Sequence, residues 1–182
     1  MRLQPHPASA PGAVRHIDVC TRCTADNRLN ITWQLAADLS RVRLPAAAAA
    51  ARADGLWRHT CFEVFAADPA GPGYREFNFA PSGEWAAWLF TAYRTGMTPL
   101  PLEAPPAFQW RSTPAELRLD VVLPLADLLP DGRRSVPRLA LAAVIEDDSG
   151  TLSYWALRHR AGPPDFHAAE CFLSDPAGSD AA

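Results

Sequence analysis

The chain contains no lysine: its 17 basic residues are all arginine, scattered along 182 positions and outnumbered by 20 acidic residues, for a formal net charge of -3. With no basic cluster to meet phosphates, no nucleic-acid partner is expected. Long apolar runs are also missing. Nothing approaches the ~20 residues of a membrane-spanning helix, so no membrane partner is expected either. Helical periodicity is scarce, and 18 prolines with 10 glycines argue against a helical bundle. Of the hydrophobic 48%, a large part is contributed by 34 alanines, which leaves roughly 29% large apolar side chains, above the ~20% below which chains stay disordered. That is enough for one core. At ~100–200 residues per domain the chain forms a single domain, which we place at residues 14–173, with residues 1–13 and 174–182 as flexible tails.

The first 13 residues lack the apolar stretch of a secretory signal, so a cytoplasmic location is expected. In a reducing compartment Cys20, Cys23, Cys61 and Cys171 are expected as free thiols. The lone CxxC of Cys20 and Cys23 falls in a strand-like stretch. Residues three apart on a strand face opposite ways, so a shared metal there would need a knuckle turn.

What is abundant is period-two alternation. Leu29, Ile31, Trp33 and Leu35 alternate with polar residues, and Leu117, Leu119, Val121 and Leu123 repeat the pattern. Residues 138–146 (RLALAAVIE) are apolar on both faces, and the EDDSG that ends this run predicts a hairpin to residues 151–159. Residues 14–23, 60–66, 74–80, 85–92 and 108–111 complete about nine strands. The expected fold is an all-β antiparallel sandwich, with Ile31, Trp33, Phe62, Val64, Phe77, Phe79, Leu119, Val121, Leu141 and Ile145 in its core. Residues 46–54 read as a connecting loop and residues 125–129 as one helical turn. Trp33, Trp85, Trp88 and Trp110 lie in apolar patterns and read as packing residues.

The informative stretch is residues 56–83. Thr60, Phe62 and Val64 share one parity and the core face; Trp57, His59, Cys61 and Glu63 take the other. On the following strand the parity reverses, so Arg75, Phe77 and Phe79 face the core. If the two strands pair, Trp57, His59, Glu63, Tyr74, Glu76 and Asn78 occupy one polar and aromatic face. Such a face is either solvated or able to hold a small polar ligand.

These residues resemble the DOMON-like proteins related to the family 9 carbohydrate-binding modules. Their pattern, Trp-x-x-Asp-x-x-Glu-hydrophobic-Phe followed by Tyr-x-x-Phe, reads here as Trp57, Thr60, Glu63, Val64, Phe65, then Tyr74 and Phe77. Near the C-terminus Ser153, Tyr154 and Trp155 lead into residues 162–172 (GPPDFHAAECF), and the resemblance covers most of residues 14–173. It implies a sugar clamped between two aromatic planes, with Trp57 at one and Phe166 near the other, where the family has a tryptophan. Glu63 and Asn78 fall on the strands that supply polar contacts. Thr60 replaces the family's aspartate and a secretion signal is missing, which points to a small sugar-like ligand rather than a polymeric glycan.

The leading reading is therefore a non-catalytic module for a sugar-like ligand, with no cofactor or metal. Its site is Trp57, His59, Glu63, Glu76, Asn78, Asp165, Phe166 and His167, with Trp155 beside or beneath it. Trp155 shares parity with Leu157 and His159, so a core position is equally open to it. Other readings stay open: a glycosidase-like enzyme using Glu63 and Glu76, a haem-binding electron-transfer domain using Met97 and a histidine, a metal site from His59, His159, His167 and Glu63, and an interaction scaffold. Oligomeric state is not legible.

Overall fold

Each stretch of period-two alternation forms a strand. In the computed structural model, which describes residues 1–10, 12–69, 71–129 and 137–173, the expected strands are β2 (Val14–Cys23), β3 (Arg28–Ala37), β4 (Cys61–Ala67), β5 (Tyr74–Phe79), β6 (Trp85–Phe90), β8 (Ala107–Thr113), β9 (Glu116–Pro124), β10 (Arg138–Glu146) and β11 (Leu152–Ala156). Two more were not expected: β1 (Arg2–Pro5) and β7 (Thr98–Pro99). All neighbours are antiparallel, in the order β7-β6-β5-β4-β10-β11-β1-β2-β3-β9-β8. The fold is one curled sheet of eleven strands among the described residues, with 3-10 turns for its helical content, and not nine strands in two separate sheets.

The joint is β1. Leu3 pairs with Ile17 of β2, while Gln4 and Pro5 pair with Ala156 and Trp155 of β11. Residues 1–13, expected as a flexible tail, thus begin with a strand, held by a Leu3 side chain that is almost fully buried. Its proline masked the signal, yet Pro5 sits at the strand's end, where a missing N–H is tolerated. The other expected tail, residues 174–182, lies outside the described residues.

Curling brings the two halves of the sheet face to face. Phe62 of β4 packs against Trp33 of β3 and Trp110 of β8, at ring-centroid distances of 5.9 and 5.3 Å, and Phe79 of β5 meets Phe108 of β8 at 5.1 Å. All ten expected core residues are buried, none more than 2% exposed. The hairpin of β10 and β11 forms as its turn residues direct: Asp147 Oδ1 accepts from the N–H groups of Ser149 and Thr151, and Gly150 takes the left-handed conformation at φ 86°. Residues 46–54 form a loop, pinned where the Arg52 guanidinium lies over Trp85 and Trp88. The four cysteines are free, Cys20 and Cys23 exposed and Cys61 and Cys171 buried. Among the described residues no helix is long and apolar enough to cross a membrane.

One feature of β4 and β10 positions the site. Both are buried on both faces, because a second apolar cluster covers the side away from the main core. Phe62, Val64 and Ala66 enter the main core, while Cys61, Phe65 and Ala67 join Tyr74, Trp88, Phe90, Phe166 and Phe172 in the second cluster. The cover is the segment after β11, which supplies Phe166, Ala168, Cys171 and Phe172 and in which Leu173 bridges Leu139. The face carrying Glu63 and Glu76 is therefore enclosed and not washed by solvent.

Candidate ligand-binding site

The strand register brings two carboxyl groups together. Glu63 stands opposite Asn78 of β5 and Ala142 of β10, and Glu76 stands opposite Phe65 of β4 and Trp88 of β6. They are diagonal neighbours on one face, at backbone positions ~7–8 Å apart. Ala140 and Ala142 share that face, and their short side chains leave space above the glutamates. The space is a cavity of about 310 Å3, at the small end of the ~300–1,000 Å3 typical of ligand sites. Glu63, Glu76 and Val144 line it from the sheet, Phe90, Tyr154 and Phe166 add aromatic surface, and Trp57, Arg94, Met97, Pro164, Asp165 and His167 reach it from loops.

Hydrogen bonds fix the loop residues. Asp165 accepts from the Tyr93 hydroxyl at 2.6 Å, from Arg94 Nη2 at 2.8 Å and from the His167 backbone N–H at 3.1 Å. Arg94 holds a left-handed backbone at φ 51° in a turn closed by Thr91 and Thr95. The turn needs Gly96: its φ is 67°, and a Cβ there would collide with Thr91 Oγ1. The Arg94 backbone N–H donates to the Tyr74 hydroxyl at 3.2 Å, and that hydroxyl lies 2.7 Å from His167 Nδ1. Tyr74 in turn stacks on Phe90, with centroids 4.6 Å apart and planes within 8°. When the phenol donates to Nδ1, the ring proton of His167 sits on Nε2, which is 3.9 Å from Glu76 Oε2.

Burial sets the charge states. Glu76 is pushed up to about 7, mainly by desolvation, with the Asn78 amide and Arg94 pulling the other way. Desolvation first and the Glu76 charge second drive Glu63 well above the usual carboxylate range. Two such neighbours cannot both ionise freely. Desolvation lowers His167 to about 4, helped by the Arg94 charge, so near neutral pH the Glu76–His167 contact is not an ion pair. Tyr74 is pushed up to about 12 by burial and stays a neutral phenol. Asp165 behaves differently: burial opposes its ionisation, but the hydrogen bonds from Tyr93 and Arg94 outweigh it and hold Asp165 below its ordinary value. Oε1 of Glu63 is buried and has no hydrogen-bond partner, an unusual state for a carboxyl oxygen.

Of the residues expected at the site, Trp57, Glu63, Glu76, Asp165, Phe166 and His167 line this cavity. Three do not. Asn78 is fully buried behind Glu76 and donates to its Oε1 at 2.7 Å, so it positions a carboxylate rather than facing the space. Trp155 points into the main core, its Nε1 donating to Ser153 Oγ; strand alternation puts Tyr154 on the cavity side instead. His59 turns away to Glu146 Oε2, 2.7 Å from its Nδ1. The parity reading failed for His59 because β4 begins at Cys61. Trp57 belongs to a 3-10 turn (Leu56–Arg58) entered from Gly55 at φ 74°.

Sequence reasoning missed Phe90, Arg94, Val144, Tyr154 and Pro164 as lining residues, and read Met97 as a haem ligand where it lines the cavity. Tyr154 and Val144 had a usable signal, a parity opposite to Trp155 and to the core residues Leu141 and Ile145 respectively. Thr60, at the position of the expected aspartate, is structural: its hydroxyl donates to the Arg43 carbonyl and accepts from the Glu146 N–H. The metal set of His59, His159, His167 and Glu63 does not assemble, and among the described residues no group of three or more metal-ligating side chains forms. Met97 and His167 do share the cavity, but Nδ1 of His167 is held by Tyr74 and its Nε2 faces Glu76.

No family model and no curated protein matches the chain. Solved structures do. A candidate carbohydrate-binding protein from Bacteroides uniformis superposes with a TM-score of 0.60 at 12% identity, over 86% of this chain and 76% of that one. A family 9 carbohydrate-binding module from Caldicellulosiruptor kristjanssonii matches in two structures, each over 88% of this chain at 10% identity. With cellotriose the TM-score is 0.53 over 73% of the module, and with glucose it is 0.51 over 76%. The fold is shared with carbohydrate-binding modules. At such identities the likeness is one of architecture: the curled antiparallel sheet is common to them, and the lining residues have to be argued from this chain alone.

Proposed function

We propose that the chain is a non-catalytic binding module for a small sugar-like ligand, held in the cavity over Glu63 and Glu76. The observation that carries this reading is the combination, in one 310 Å3 space, of aromatic surface and a buried carboxyl oxygen without a partner. A pyranose presents apolar C–H faces that stack on rings and hydroxyls that donate to carboxyl oxygens at its edge. Trp57 and Tyr154 suit the first task; Glu63, Glu76 and Asp165 suit the second. The shared fold with modules seen holding glucose and cellotriose supports the reading. The narrower DOMON-like relationship and an intracellular site of action are part of the same proposal, supported by Trp57, Glu63, Tyr74 and Phe77 and by the small volume of the cavity. The test is calorimetric and tryptophan-fluorescence titration with mono- and disaccharides. Saturable heat with a fluorescence change is the expected result, and silence across the panel defeats the reading.

A glycosidase-like reading draws on the same two carboxyls, whose raised positions would let one act as acid while the other ionises. Steady release of a chromophore from aryl glycosides, abolished in both Glu63→Gln and Glu76→Gln, would favour it over simple binding.

A further inference from the structure

We infer that the ligand of this cavity carries an ammonium group, an amino sugar being the class that fits, with Glu63 and Glu76 as its counter-charge. The inference rests on the sugar-binding reading for the sugar but not for the amine. It starts from an imbalance in the lining. Arg94, the one guanidinium that lines the cavity among the described residues, is bonded to Asp165, which Arg160 also approaches at 3.7 Å, so its charge reaches Glu63 and Glu76 only from a distance and without a hydrogen bond to either. Glu63 and Glu76 have no such partner. Glu76 receives only the Asn78 amide and a distant, neutral His167, and Oε1 of Glu63 receives nothing. Both side chains are more than nine-tenths buried.

A buried carboxyl pair in this state must either keep protons or be met by a cation. Neutral hydroxyls can donate hydrogen bonds to it but leave the charge uncompensated. An ammonium group supplies both, offering three N–H donors and a full positive charge to two carboxylates lying diagonally across one sheet face. The walls favour the same occupant. Trp57 and Tyr154 present aromatic surface to the space above the glutamates, and the negative face of such rings attracts an organic cation. An aliphatic amine on a sugar ring uses all of these at once: ring C–H groups on the aromatics, hydroxyls toward Asp165, nitrogen toward the glutamates.

The test is calorimetry on the intact chain at neutral pH with glucose, glucosamine, N-acetylglucosamine and cyclohexylamine. The expected result is glucosamine binding at least about tenfold tighter than glucose, with acetylation of the nitrogen erasing the advantage. In Glu63→Gln and in Glu76→Gln, each checked for folding by circular dichroism, the glucosamine-to-glucose ratio falls toward one. Glucose or N-acetylglucosamine binding as tightly as glucosamine overturns the inference and leaves the sugar reading standing. Cyclohexylamine binding while every sugar is silent upholds the ammonium site and removes the sugar. If none of the four binds, both fail.

Discussion

The side chain of Glu63 makes the strongest demand on the residues around it. It is enclosed by apolar strands, faces a second carboxyl, and has an oxygen with no protein partner. This arrangement has a consequence for stability with a definite sign. Glu63 and Glu76 titrate near 4.5 when unfolded and higher when folded, so unfolding releases protons and stability falls as pH rises from about 4.5 through 7. His167 acts oppositely. Its folded value of about 4 lies below the ordinary 6.5, so its contribution grows with pH between those limits and then stops. Of the other groups facing the pair, Arg94 stays charged, Tyr74 stays neutral and Asp165 stays ionised through this range. The melting temperature should therefore decline as pH rises past about 6.5, where the opposing His167 contribution has stopped, and Glu63→Gln or Glu76→Gln should flatten the decline in a thermal-melt series. A flat wild-type profile would show that the carboxyls are not held in their acid form. Trp57 belongs to the same scale. Half-buried at the cavity on a short 3-10 turn, it is the anchor a stacked ligand would use, and Trp57→Ala should weaken binding by more than ~1 kcal/mol in a titration while leaving the melt nearly unchanged.

Among the elements, β4 and β1 carry different loads. The Phe62 ring of β4 sits between Trp33 and Trp110, joining the two halves of the curled sheet, and none of it is exposed. Phe62→Ala should cost ~3–5 kcal/mol, read as a shift of the urea midpoint. β1 is only four residues long, yet it pairs with β2 on one side and β11 on the other. Removing residues 1–5 should expose the facing edges of both. Hydrogen exchange should show protection lost around Ile17 and Trp155 together, whereas a dispensable tail would leave both unchanged. The nine longer strands were legible in the sequence because alternation over five or more residues, or in β10 an apolar run on both faces, is a local property. β1 and β7 were not, since four and two residues with proline in each give no period to read.

At the scale of the whole molecule, the two faces of the β4–β5 region tie two apolar clusters to one sheet. The main core fills the space between the curled halves, and the second cluster fills the space under the C-terminal segment, with Phe62 and Phe65, three positions apart on β4, serving the first and the second respectively. Neither cluster can dissolve without uncovering β4 and β10. Tryptophan fluorescence, which reports Trp33 and Trp155 in the main core and Trp57 and Trp88 near the second cluster, should thus unfold together with far-ultraviolet circular dichroism in one transition. Two separated transitions would mean that the C-terminal cover comes off as an independent unit.

The alternation of residues 60–66 and 74–80 determined by itself that Phe62, Val64, Phe77 and Phe79 are core and that Glu63, Glu76 and Asn78 share the opposite face, because a strand's side chains reverse direction at every step. It also paired the right strands, since a short turn connects them. What tertiary structure decided is what stands above that face. The segment from Pro164 to His167 has no periodicity, and only the placement of β11 beside β10 lets it fold back as a roof. Arg94 comes from a turn whose shape depends on Gly96, and no repeating pattern marks such a residue. Trp155 and Tyr154 were separated by which side of β11 the core chose, and Asn78 became a support for Glu76 because the strand register left it no opening to the cavity. Parity is written along the chain; enclosure depends on which distant segments cover the sheet, and that is settled only when the sheet curls.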